Sequence, residues 1–158
     1  LTYNTKAYDT YSWNDRGSDE SMYCAPHIDL PVCLVMRSKF GTYPEYHTSL
    51  DTIGNVVTEK GLQKSLDMHK TMIQIIEKNC KPITKVLGEP QLGSRGLYPM
   101  ISKKGSTDVV KTRLNLISYS DGNHSLLEIA EKCEVPFAEL LEELDILVEK
   151  GVLEIKPI

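Results

Sequence analysis

An α/β layer followed by a small helix-turn-helix unit is predicted by three features of the sequence. The first is a nearly continuous apolar run from Leu30 to Met36, and the second is an amphipathic stretch starting at Thr58. The third is a change of character after Thr107, where three short helical patterns precede a closing strand. A chain of 158 residues holds either one ordinary domain or a partial domain plus a small one. The second arrangement fits this pattern, with residues 1–105 forming the α/β part and 106–158 the small domain.

Residues 1–29 are polar and rich in turn formers, including Trp13-Asn14-Asp15-Arg16-Gly17-Ser18-Asp19-Glu20 and Ala25-Pro26-His27. Ser18 is a good N-cap for a short helical turn. Leu-Pro-Val-Cys-Leu-Val-Met from Leu30 has strand length, and its lack of alternation predicts a strand covered on both faces, with Cys33 in the core. Pro31 confines the strand start. A loop through Gly41, Pro44 and His47 leads to Asp51. The spacing then predicts a helix over 58–79 that is capped by Thr58. Leu62, Leu66, His69, Met72, Ile73 and Ile76 lie on one face, and Asn79 and Pro82 end it. Seven Gly and Pro residues punctuate 82–105, so Ile83–Leu87 and Leu97–Ile101 read as short strands or extended loop.

The region after Thr107 predicts helices over about 108–119, 125–133 and 136–150, then a strand from Val152 to Ile155. Asp121-Gly122 and Glu134-Val135-Pro136 separate them. Phe137, Leu140, Leu141, Leu144, Leu147 and Val148 give the last helix a core stripe. A short helix, a tight turn, a longer helix and a strand make a winged helix.

Composition narrows the function classes. Net charge is −4 with a pI near 5.6, which disfavours a nucleic-acid or anionic-membrane partner for the chain as a whole. No apolar run approaches the roughly 18 residues of a membrane helix. The start, Leu1-Thr2-Tyr3-Asn4, has no signal-peptide pattern and no initiator Met, which leads us to expect a fragment. Cys24, Cys33, Cys80 and Cys133 are scattered without a CxxC, as in reduced cytoplasmic proteins. Cys24, in a loop, reads as a nucleophile or as a structural thiol.

Two places concentrate chemically capable residues: Gly17-Ser18-Asp19-Glu20 with Tyr23, and Glu45-Tyr46-His47-Thr48-Ser49-Leu50-Asp51. They flank the expected strand, where loops of open α/β sheets build sites. On residue types alone, His47 reads either as a structural imidazole or as a metal ligand.

The stretch from Ser18 to Thr52 resembles the last block of the co-catalytic zinc aminopeptidases, the leucine aminopeptidase and glutamate carboxypeptidase relatives. Their pattern runs Ser-Asp-His, a helical turn, Gly-x-Pro, an apolar strand, then His-Thr-x-x-Asp-Thr and a long helix. This chain supplies Ser18-Asp19-Glu20, Asp29-Leu30-Pro31, Val32 to Met36, and His47-Thr48-Ser49-Leu50-Asp51-Thr52. Gly-Ser-Asp-Glu-x-x-Tyr-Cys-Ala-Pro and Pro-Glu-Tyr-His-Thr-Ser-x-Asp resemble more closely a bacterial aminopeptidase-like subfamily that ends in a winged helix. The resemblance implies the C-terminal portion of a zinc-aminopeptidase-type α/β sandwich followed by a winged-helix domain.

It also implies that His47 is a zinc ligand in a two-zinc site, with a peptide or amino-acyl substrate. Ser18, Asp19, Glu20, Tyr23, Tyr46 and Asp51 would line the pocket or brace its loops, Asp51 reading equally as a helix cap. Glu20 stands where the wider family has His, and His27 where the subfamily usually has Gly. The family's other metal ligands and its general-base Glu precede this block, so no catalytic residue is assigned and the chain alone is expected to be inactive. Arg95 reads as a carboxylate binder or as a solvated charge. The competing reading is a DNA-binding or protein-interaction winged helix beside a non-catalytic α/β domain. From Asp121 to Ile158 there are ten acidic residues against three lysines, with Glu139, Glu142, Glu143, Asp145 and Glu149 on the would-be recognition helix. That sign opposes phosphate, so the small domain is expected to dock on protein or form a homo-oligomer contact, with no nucleic acid and no membrane.

Overall fold

The computed structural model describes residues 8–17, 19–98 and 106–156. It is helix-rich with one small sheet, and it divides into two compact units, one running to Thr71 and the other from Met72. In the first unit a 3-10 turn at Trp13–Asp15 precedes helix α1, Glu20–Tyr23. Asp19 sits at the N-cap of α1, while Ser18, expected to cap this turn, lies outside the described residues. Helix α2, Glu59–Lys78, begins where expected. The Thr58 hydroxyl oxygen accepts from the Gly61 amide at 3.1 Å, satisfying a first-turn N–H that has no intrahelical partner.

Leu30 to Met36 corrects the expectation of a central strand. The segment has no regular secondary structure and belongs to no sheet, and Leu30, Val32, Leu34 and Met36 are exposed, as is Cys33. An apolar run records a demand for burial, and a strand exists only where neighbours supply its ladder. The described residues of this unit supply none, since their longest regular element is the first part of α2. The face of α2 shows the same thing: Leu62, Leu66, His69, Ile73 and Ile76 are exposed, with Ile76 at 76%. Among the described residues up to Thr71, Gly61 alone is buried, because the Arg37 guanidinium lies over it.

The second unit holds the core. After β1, Lys81–Thr84, come α3, Ser106–Tyr119, α4, Leu126–Cys133, α5, Phe137–Glu149, and β2, Leu153–Lys156. The strands pair antiparallel, Pro82 opposite Ile155 and Thr84 opposite Leu153. Leu116, Leu126, Ile129, Leu140, Leu144, Leu147, Val152 and Leu153 are fully buried, joined by Cys80, Leu92 and Leu97 from the chain before α3. The expected boundary at Gly105 lies outside the described residues. A capping box starts α4: Ser125 Oγ accepts from the Glu128 amide at 3.3 Å, while Glu128 Oε2 accepts from the Ser125 amide at 2.7 Å. Glu134, with φ +56°, ends α4 in the left-handed conformation, and Pro136 opens α5.

Candidate functional site

The loop after Met36 is a succession of tight turns. The Tyr46 amide donates to Tyr43 O at 3.2 Å, the Thr48 amide to Glu45 O at 3.0 Å and the Asp51 amide to Thr48 O at 3.2 Å. The Thr48 hydroxyl adds a bond to Glu45 O at 2.7 Å and accepts from the Leu50 amide at 3.2 Å. These bonds close on His47, whose φ of +58° lies in the left-handed region that non-glycine residues rarely adopt. A strained residue held by surrounding bonds is a feature of functional loops. Its ring is exposed and stacks on Tyr46, with centroids 4.0 Å apart and planes 15° from parallel.

Tyr46 is itself wedged. Tyr43 meets it edge-on at 5.6 Å, and Phe40 lies 6.4 Å away. Burial, followed by the nearby Asp51 charge, holds the Tyr43 hydroxyl above its ordinary pKa. Asp51 is tied into the loop by its amide bond to Thr48 O; Thr58, not Asp51, caps α2. Phe40 also reaches the other motif, because a Cβ on Gly17 would stand 2.7 Å from its ring. The Gly17 amide donates to Glu20 Oε1 at 2.9 Å. Glu20, standing where the resemblance expects His, therefore holds its own turn. Gly17, Phe40 and Tyr46 connect the two motif segments, and Phe40 and Tyr43 went unremarked in the sequence. Their spacing with Tyr46, three residues apart each time, was the available signal.

Other expected residues are placed as follows. Asp19 is exposed, and its carbonyl accepts from the Met22 and Tyr23 amides. The Tyr23 ring is half exposed, and its carbonyl accepts from Leu30. The Cys24 thiol donates toward Leu30 O and Val32 O at 3.2 and 3.3 Å, tying the turn to the start of the apolar segment. His27 has φ +74°, a glycine-type backbone in keeping with the Gly of the subfamily pattern. Arg95 is neither a carboxylate binder nor a free charge: it donates to Pro90 O and to Lys150 O at the C-terminal end of α5, each at 3.0 Å.

A zinc site needs several donors converging at once. Among the described residues no group of three or more His, Cys, Asp or Glu stands close enough to hold a metal ion. His47 fits as a single donor, and the rest of a ligand set is not assembled by the described residues. A cavity of about 420 Å³ lies beside Tyr11, Trp13, Val32, Leu34 and Phe40, away from His47. On α5, Ala138, Glu139, Glu142, Asp145 and Glu149 are exposed, whereas Glu143 turns inward to pair with Arg113, which also donates to Leu97 O. No helix among the described residues is long and apolar enough to cross a membrane.

The fold of the second unit has its counterpart among known families: residues 79–155 match a winged helix-turn-helix family. A crystal structure of a candidate peptidase from Clostridium acetobutylicum superposes with a TM-score of 0.77 at 31% identity, covering 90% of this chain and 31% of that one. A Clostridium acetobutylicum protein named as a candidate polysaccharide biosynthesis protein with an aminopeptidase-like domain is 34% identical over 151 residues. That alignment covers 93% of this chain and 33% of the relative, so the chain spans about a third of the length of the curated relative it matches. Residues 1–79, half of the chain, match the domain family of unknown function DUF4910, and the chain belongs to that family.

Proposed function

We propose that this chain is the C-terminal part of a zinc-dependent aminopeptidase-like hydrolase, with His47 contributing one metal donor. The observation behind the reading is His47 itself: an exposed imidazole in a strained backbone conformation, fixed by three successive turns and a stacked tyrosine. Neutral imidazole is a common zinc donor. Two bound zinc ions would supply carbonyl polarisation and an activated water in the complete protein. A catalytic zinc takes about three protein donors plus an open position, and the chain is proposed to be inactive by itself. The uncovered Leu30–Met36 segment and the bare stripe of α2 are what a split α/β sandwich would leave, the relative being about three times as long. The substrate class under this reading is a peptide or amino-acyl compound with a free amino terminus.

The winged helix is proposed to serve protein contacts, within a longer chain or in a homo-oligomer, rather than DNA. The exposed face of α5 carries Glu139, Glu142, Asp145 and Glu149 and no cation, so it meets phosphate with repulsion. Four free cysteines are consistent with a reducing, cytoplasmic setting. The test is a chimera in which the part of the Clostridium relative outside the matched region is joined to this chain. It should bind zinc and release amino acids from aminoacyl anilides, and His47→Ala should lower zinc content and abolish hydrolysis. Full zinc content and turnover in the His47→Ala chimera would refute the assignment.

A further inference from the structure

We propose that Tyr46 is the positioning residue for His47, holding the imidazole in one orientation before any metal arrives; this rests on reading His47 as a metal donor. A histidine on an exposed loop ordinarily samples several rotamers, and each must be given up when the ring is fixed. Here the ring lies flat on Tyr46 at 4.0 Å and 15°. Stacking engages the face of an imidazole, whereas a metal bonds in the ring plane. The contact therefore sets direction without consuming a donor atom.

Tyr46 cannot perform this task on a loose loop, and the loop is not loose. Its ring is held edge-on by Tyr43 at 5.6 Å, and Phe40 lies 6.4 Å away. The backbone of His47 is held by the turns on either side, and one face of its ring lies on Tyr46. Phe40, Tyr43 and Tyr46 form an aromatic brace that ends on the imidazole. The hydroxyl of Tyr46 has no part in it, so an unsubstituted ring serves as well.

NMR of the 158-residue chain reads the orientation directly. In the wild type and in Tyr46→Phe, the His47 ring protons should be shifted upfield by the underlying aromatic face. In Tyr46→Leu they should return to open positions. Tyr43→Leu, which removes the edge-on support but keeps the stacked ring, should give a shift between those of the wild type and Tyr46→Leu. Zinc ion alone is then titrated while the His47 resonances are followed. Its dissociation constant should rise about threefold to tenfold in Tyr46→Leu and stay within about twofold in Tyr46→Phe. Unshielded His47 protons in the wild type, or equal zinc affinity in Tyr46→Leu, would overturn the proposal. Shielded protons that zinc never perturbs would instead remove the donor role of His47 and leave its orientation by Tyr46 standing.

Discussion

Gly122 shows how one residue can fix a connection. Its φ is +77°, its amide donates to Pro82 O at 3.0 Å, and a Cβ there would stand 3.1 Å from Ile83 Cδ1. Gly122→Ala should therefore cost about 1–2 kcal/mol from the left-handed backbone alone, measurable as a lower midpoint in denaturant unfolding. The neighbouring Asp121 accepts from the Asn123 and His124 amides at 2.8 and 3.1 Å, and these bonds hold its carboxyl well below the ordinary range. The Ser125 amide and then its hydroxyl lower Glu128 in the same way. A carboxyl depressed in the folded state contributes stability that is complete above its unfolded pKa of about 4 and is lost as pH falls through the folded value. Stability should be flat down to about pH 5 and then decline, with a shallower acid limb in Glu128→Gln and in Asp121→Asn. His47 was legible as a motif residue, but its strained backbone and the Tyr46 stack were not, since both arise from turns that no single residue announces.

Elements show where sequence patterning succeeds and where it misleads. The three helices of the winged unit fall within two residues of expectation because their stripes are buried by one another. The patterns of α2 and of Leu30–Met36 are equally regular, yet they face solvent, because periodicity states what a segment needs covered and not what covers it. This yields a contrast measurable by chemical denaturation. Leu66→Ser and Ile73→Ser should change the stability of this chain by no more than about 0.5 kcal/mol, whereas Leu144→Ala, fully buried on α5, should cost about 2–5 kcal/mol. The Glu143 carboxylate was expected to face outward with the other acids of α5; in the fold it meets Arg113 of α3 in a pair mostly shielded from water. Truncating one partner strands the other, so Glu143→Ala should cost about 3–5 kcal/mol in the same assay. Were it to cost nothing, the pair would not be the clamp between α3 and α5.

At the scale of the whole molecule, burial is uneven. Every fully buried large apolar side chain among the described residues lies beyond Thr71, so the second unit has a core of its own, while the first shows its apolar surface to solvent. The chain spans about a third of the length of the relative it matches, and the proposed reading of His47 places the remaining metal donors outside these residues. Charge gives a separate expectation: a mobility-shift titration with duplex DNA at low salt, where attraction is strongest, should show no saturable complex. Binding that weakens as salt is added would reverse the reading of the winged helix. The claim that His47 is one donor of a site finished outside this chain is tested most directly by zinc calorimetry on the 158-residue chain and its His47→Ala variant. The account predicts only weak heat that falls when His47 is removed, and a stoichiometric sub-micromolar site in this chain would contradict it.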